Sequence, residues 1–378
     1  MYIQVDNAGF INKGAQLMLR ATIDKLYKED KKKYKVVAGR NCLFTDQSQI
    51  RKAGLYQIPN FKRFKITIDD FISEYFLQKY GLVKETDIKV ILDAGGFQFG
   101  DQWISFYSEK YLTEIKEYYS KKKKNGVKII FLPQAFGPFN DELSKEVMKT
   151  VFEYGDVFYA RDKTSYKYIT ELFPNSDKIK LAPDFTCLFE ADIPSKLFKK
   201  VKGGICIIPN SKMLTHTDDK VGDKYLSYLS DLIVHFKNIN EKIILLNHEG
   251  NDDWELIKQL EKNLDGYNNY LVLNNLDAIE VKGVIGNSKL LISSRFHGVV
   301  SGLNQSIPTF CTSWSHKYEE LMKDYGFENN ILAMDDFIFE IKKITNFLDA
   351  DLNSSSSNVE NIKEQTEDMW KEVISFFN

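Results

Sequence analysis

Short, continuously apolar runs recur along this chain, each closing on a polar or glycine-bearing cluster and most followed by a stretch with helical spacing. They fall at 2–6, 34–38, 89–92, 128–132, 157–160 and 179–182, and again at 204–208, 242–246, 270–273, 290–292 and 309–311. Runs this short and this apolar suit strands covered on both faces, and connections of helix length join parallel strands. The alternation therefore predicts open, mostly parallel α/β sheets with helices on both sides. A chain of 378 residues is long for one such sheet. The polar segment 190–203 divides it into two Rossmann-like domains, 1–195 and 196–350. The remainder, 351–378, reads as a Ser-rich linker at Asn353–Asn358 and an amphipathic helix whose stripe is Val359, Ile362, Met369, Trp370, Val373, Ile374 and Phe377. That helix is predicted to pack back on the body or on a second copy of the chain.

Several classes are set aside early. Lys and Arg number 51 against 53 Asp and Glu, so the formal net charge of -2 gives no general pull toward nucleic acid or an anionic membrane. A basic cluster at Arg51, Lys52, Lys62, Arg63 and Lys65 reads as a solvated face of an otherwise hard-to-parse region, 41–88. No apolar stretch approaches the length of a membrane span, and the start, MYIQVDNAGF, lacks a signal-peptide pattern. The expected location is the cytoplasm. Cys42, Cys187, Cys206 and Cys311 are far apart without metal spacing and read as reduced thiols. The segment GGFQFGD is not GxGxxG, and GxxxxGK[ST] is absent, so neither dinucleotide nor P-loop binding is supported.

In open α/β sheets ligands bind beyond the carboxyl ends of the strands, and the polar clusters of this chain stand there. Asn12 and Lys13, between Gly9 and Gly14, enter the first long helix and form either an anion-receiving loop or a plain helix entry. Gly95 and Gly96 let a ligand approach the backbone closely. Gln134 and Arg161 follow the next strands, and Arg161 pairs with Asp156 or Asp162 if it is merely structural. The second half places Asn210, His248 with Glu249, Ser294 with Arg295 and His297, and Lys317 in equivalent positions. His248 and Glu249 read equally as partners for acceptor hydroxyls or as a helix cap. His216, His235 and His316 read as surface or loop residues. Two such rims facing each other predict a cleft between the domains.

The stretch KLLISSRFHGVVSGLNQSIP carries the strongest chemistry: a strand, a turn and a buried helix starting with Arg295 and His297. An arginine fork beside free helix amides suits an anion, and an imidazole two residues on can handle a proton. A helix start disfavours imidazolium and suits a base, whereas a bound anion favours imidazolium and suits an acid, so both roles stay open.

With NKGAQLML, DAGGFQFGD, LPQAFGP, ARD, APD and SSRFHGVVSGLNQSIP together, the chain resembles the polysaccharide pyruvyl transferase family over roughly residues 1–325. The resemblance implies a GT-B-like fold and transfer of pyruvate from phosphoenolpyruvate to a saccharide acceptor, lipid-linked in some settings, usually as a cyclic ketal. It implies Arg295, His297 and Arg161 as the catalytic set; the positions beyond strand ends add Asn12, Lys13, Gly95, Gly96, Gln134, Asn210, His248, Glu249, Ser294 and Lys317 as substrate-binding candidates. In the first loop, Lys13 stands where that family frequently has an acid. No metal and no cofactor are expected, and a homo-oligomer is an open option. The competing readings are a nucleotide-sugar glycosyltransferase on the same fold and a non-enzymatic two-lobed binding protein.

Overall fold

The computed structural model describes residues 1–42, 45–59, 73–315, 317–349 and 356–377. It divides into two compact units: Met1–Ile11 with Ala15–Phe189 and Gln365–Asn378, and Asn12–Gly14 with Glu190–Glu364.

The first unit holds a parallel sheet of β1 (Tyr2–Asp6), β2 (Lys35–Ala38), β3 (Ile88–Asp93), β4 (Phe97–Phe99), β5 (Lys128–Phe136), β6 (Val157–Ala160) and β7 (Ile179–Leu181). Their order is β2-β1-β3-β5-β6-β7, with β4 joined to β5. Val90, Ile91, Leu92, Ile130, Phe131 and Phe158 are fully buried or nearly so, which is why these strands read as unbroken apolar runs. The helix Glu109–Lys124 opens where the Ser108 hydroxyl accepts from the Tyr111 amide, and Glu142–Tyr154 opens on the Asp141 carboxylate.

The second unit repeats the arrangement with β8 (Ile205–Ile208), β9 (Ile243–Leu246), β10 (Tyr270–Leu273), β11 (Leu290–Ser293) and β12 (Thr309–Cys311), ordered β10-β9-β8-β11-β12 and all parallel. Helices Asp219–Asn238 and Gly250–Glu261 pack on one face and Ala278–Gly286 on the other, where Val281, Val284 and Ile285 meet Cys206 and Leu291.

Several local expectations change. β5 runs on through Pro133 to Phe136, because its pairing with β6 shifts register between Phe131 and Gln134 and releases the proline from the ladder. Segment 190–203 is not a bare connection. It carries the helix Ser195–Val201, and Ile193, Leu197 and Val201 join a core cluster of the second unit, which therefore begins at Glu190. Ser356–Asn358 belong to the helix Ser356–Ser375, while Asn353–Ser355 lie outside the described residues, as do Lys62, Arg63, Lys65 and His316. The later part of that helix joins the first unit. Trp370 is buried against Phe185, Phe377 meets Tyr34, and Glu372 accepts from Tyr159 and Lys180. Among the described residues no helix is long and apolar enough to cross a membrane.

Candidate active site

Each sheet reverses its building direction once. In the first sheet this happens between β1 and β3, in the second between β8 and β11. A crevice opens beyond the strand ends at such a reversal. Gly95 and Gly96 follow β3 at the first, and Asn210, Ser294, Arg295 and His297 follow β8 and β11 at the second.

At the second reversal, Arg295 stands just before the helix Phe296–Asn304 in extended backbone, and His297 lies in its first turn. The helix starts there because Gly298 permits it: a β-carbon at that position would lie 2.6 Å from the Ser293 hydroxyl. Arg295 is held by carboxylates. Its Nε and Nη2 each donate to Asp253 at 2.7 Å, and its Nη1 donates to Glu249 Oε2 at 2.5 Å. Asp253 is fully buried and also accepts from the Ser211 amide at 2.9 Å. Although burial opposes the charge, Asp253 and Glu249 keep the Arg295 guanidinium above its ordinary value. Sequence reasoning missed Asp253, since an acid in the first turn of a helix is ordinary.

The side chains of Ser294 and Asn210 are buried in an internal hydrogen-bond network. The Ser294 hydroxyl meets Tyr225 at 2.6 Å and accepts from Thr312, and its carbonyl accepts from Asn210 and Tyr318. The Asn210 amide oxygen accepts from the Lys212 amide. Lys317 lies over aromatic rings, 4.3 Å from the Trp314 centroid, with Phe296 and Tyr318 farther out.

His248 is buried, and among the described residues its Nδ1 has no hydrogen-bond partner. Burial, then the charges of Arg295, His297 and Lys13, push its imidazole well below the ordinary value. Glu249 precedes the helix Gly250–Glu261 without capping it. Its second oxygen accepts instead from the Asn12 amide. Residues 12–14 thus group with the second unit, not with the first-domain rim that the sequence suggested. Gly14 lies against the His297 ring, and a β-carbon there would fall 2.3 Å from Nδ1.

At the first reversal, Asp6 and Asp93 are register partners, both fully buried. Asp93 accepts from Asn7, Gln98 and the Gly95 amide, and Asp6 from Gln4 and Tyr118. Burial, with Asp6 beside it, pushes the Asp93 carboxyl up to about 7. Gln134 is buried in the same network, accepting from Gln98 at 3.1 Å. Gly95 is packed on the Gln98 amide, and Gly96 has a φ of +67°. Arg40, which sequence reasoning did not single out, stacks 3.9 Å from the Tyr118 centroid with Nε 3.7 Å from Asp6.

Arg161 is also buried in this unit. Its expected partners are engaged elsewhere: Asp156 pairs with Lys123, and Asp162 caps the helix Lys163–Leu172. Asp184 takes their place, 3.7 Å from Arg161 Nη1. Among the described residues no group of three or more His, Cys, Asp or Glu is placed to hold a metal ion.

A family model described as polysaccharide pyruvyl transferase matches residues 12–316. A search of curated proteins finds no match. Solved structures similar in fold include a UDP-GlcNAc 2-epimerase from Neisseria meningitidis bound to UDP-GlcNAc, with a TM-score of 0.61, 10% identity and coverage of 99% of this chain and 100% of that one. Another is a UDP-GlcNAc 2-epimerase from Methanocaldococcus jannaschii, at 0.59 and 13% over 97% of this chain and 100% of that one. A glycosyltransferase from Rickettsia africae ESF-5 matches at 0.57 and 14% over 100% of this chain and 97% of its own. At these identities the likeness establishes a GT-B-like α/β fold.

Proposed function

This chain belongs to the polysaccharide pyruvyl transferase family, and we propose that it moves pyruvate from phosphoenolpyruvate onto a sugar of a surface polysaccharide or its lipid-linked precursor, in the cytoplasm, as a pyruvate ketal. The observation that carries the reading is the pairing of His297 with a rigidly aimed Arg295 at the reversal of the second sheet. A guanidinium fork suits a carboxylate or phosphate better than an ammonium does. The donor's methylene takes a proton as a sugar hydroxyl adds to the neighbouring carbon and loses its own. Phosphate then leaves with its bonding pair, and a second hydroxyl closes the ring and releases its proton to solvent or phosphate. His297 is the side chain we assign to the first exchange. Donor and product are at the same oxidation level, so the step calls for no redox cofactor.

Arg161 enters through its place in the ARD motif. That motif alone supports its role, and Arg161→Ala should lower ketal formation if the role is real.

The experiment is incubation with labelled phosphoenolpyruvate and galactose-, mannose- and glucosamine-ended acceptors, reading ketal formation and phosphate release. His297→Ala should abolish turnover while leaving donor binding within a small factor, and Arg295→Ala should weaken donor binding itself. Near wild-type rates in both variants would sink the assignment. Sugar transfer from a nucleotide-sugar, without ketal, would replace the reaction.

A further inference from the structure

Arg295 meets its two carboxylates on unequal terms. The edge formed by Nε and Nη2 is closed by Asp253, which is fully buried and tied to the Ser211 amide. Nη1 donates to Glu249, whose side chain is 31% exposed and caps no helix. Its other oxygen is tethered by the exposed amide of Asn12. Asp253 is thus a fixed support, whereas Glu249 can swing into water and regain its hydration.

We propose that Glu249 occupies, in the unliganded protein, the position on Arg295 that the donor's anionic group takes, so that the donor binds by displacing it. The inference rests on the assignment of Arg295 to the donor. Displacement makes Glu249 a determinant of affinity. A singly charged carboxylate would only exchange one carboxylate for another and would lose the advantage of an intramolecular partner. A ligand with both phosphate and carboxylate adds charge that Glu249 cannot supply. If the open form is about a tenth of the population, the donor's apparent affinity is reduced about ten-fold by the closed form.

Titration calorimetry with phosphoenolpyruvate and with pyruvate, at fixed low salt, tests this. Glu249→Gln should tighten phosphoenolpyruvate and pyruvate binding by the same factor, about ten-fold, because the closed form lowers the apparent affinity of either anion alike. Asn12→Ala, by releasing the tether, should tighten binding in the parent protein and by clearly less in the Glu249→Gln background. Weaker or unchanged donor binding in Glu249→Gln, or an Asn12→Ala effect of equal size in both backgrounds, would overturn displacement. Unchanged donor binding in Arg295→Ala would instead remove the donor assignment on which the inference stands.

Discussion

Gly14 and His297 approach so closely that a β-carbon on the glycine would stand 2.3 Å from the imidazole Nδ1. The glycine thereby fixes where the ring can lie. Gly14→Ala should push the imidazole aside and lower kcat by at least about ten-fold, a misplacement of roughly an ångström being enough. The loss should exceed any fall in thermal stability, and a variant with unchanged kcat would show that the ring position is immaterial.

Asp253 is the anchor of the arginine. Asp253→Ala leaves a buried guanidinium without its two-point partner and should cost about 3–5 kcal/mol in urea unfolding. Asp253→Asn keeps the shape and part of the hydrogen bonding and should fall between that variant and the parent. Donor affinity should drop in both, because the fork is no longer aimed.

The Asp93 carboxyl gives the fold a pH dependence. Its value is raised to about 7 in the folded chain from 3.8, so its proton is held more tightly folded than unfolded. The associated stability is fully present below about 3.8 and is lost as the pH climbs to about 7, at most roughly 4 kcal/mol. Asp93→Asn, whose amide can meet Asn7 once that side chain rotates, should flatten the loss. Unfolding free energies measured from pH 4 to 8 in both proteins decide it, and parallel curves would count against the raised value.

Trp370 is one of the largest fully buried side chains and meets Phe185 edge-on, with ring centroids 6.1 Å apart. Trp370→Ala should destabilise the first unit by about 3–5 kcal/mol. Glu372→Ala should cost less, since the partly exposed Lys180 can turn to water and only the buried Tyr159 hydroxyl loses its acceptor. The two are ranked by their denaturation midpoints.

Most of the sheet framework was readable in the sequence because doubly covered strands leave uninterrupted apolar runs, as at Ile243–Leu246 and Leu290–Ser293. Three elements were harder. β4 has three residues between glycines. The helix Phe337–Asp349 opens with bulky and β-branched residues that fit a strand as well, so periodicity separates the two poorly. Glu142–Tyr154 had a legible cap in Asp141 and a legible stripe in Val147, Met148 and Val151, and was overlooked behind the proline-bounded turn preceding it. At the site, sequence located Arg295 and His297 at a helix start but could not say who holds them. Asp253 reaches back from a different helix, and Asp6 meets Asp93 only through strand pairing. Such partners depend on the order of strands, which spacing along the chain does not encode. The hydrogen-bond network around Ser294 was hidden for the same reason: a serine after a strand looks alike whether it faces a ligand or Tyr225.

The helix Ser356–Ser375 gives its opening turns to the second unit and its later ones to the first. During synthesis the first unit's strands therefore emerge long before the Trp370 and Phe377 side chains that cover part of its core, and they must wait while the whole of residues 190–364 is translated. The unit made second has its own residues in hand first, so the ribosome's order of delivery and the order in which the two bodies can be completed run in opposite directions.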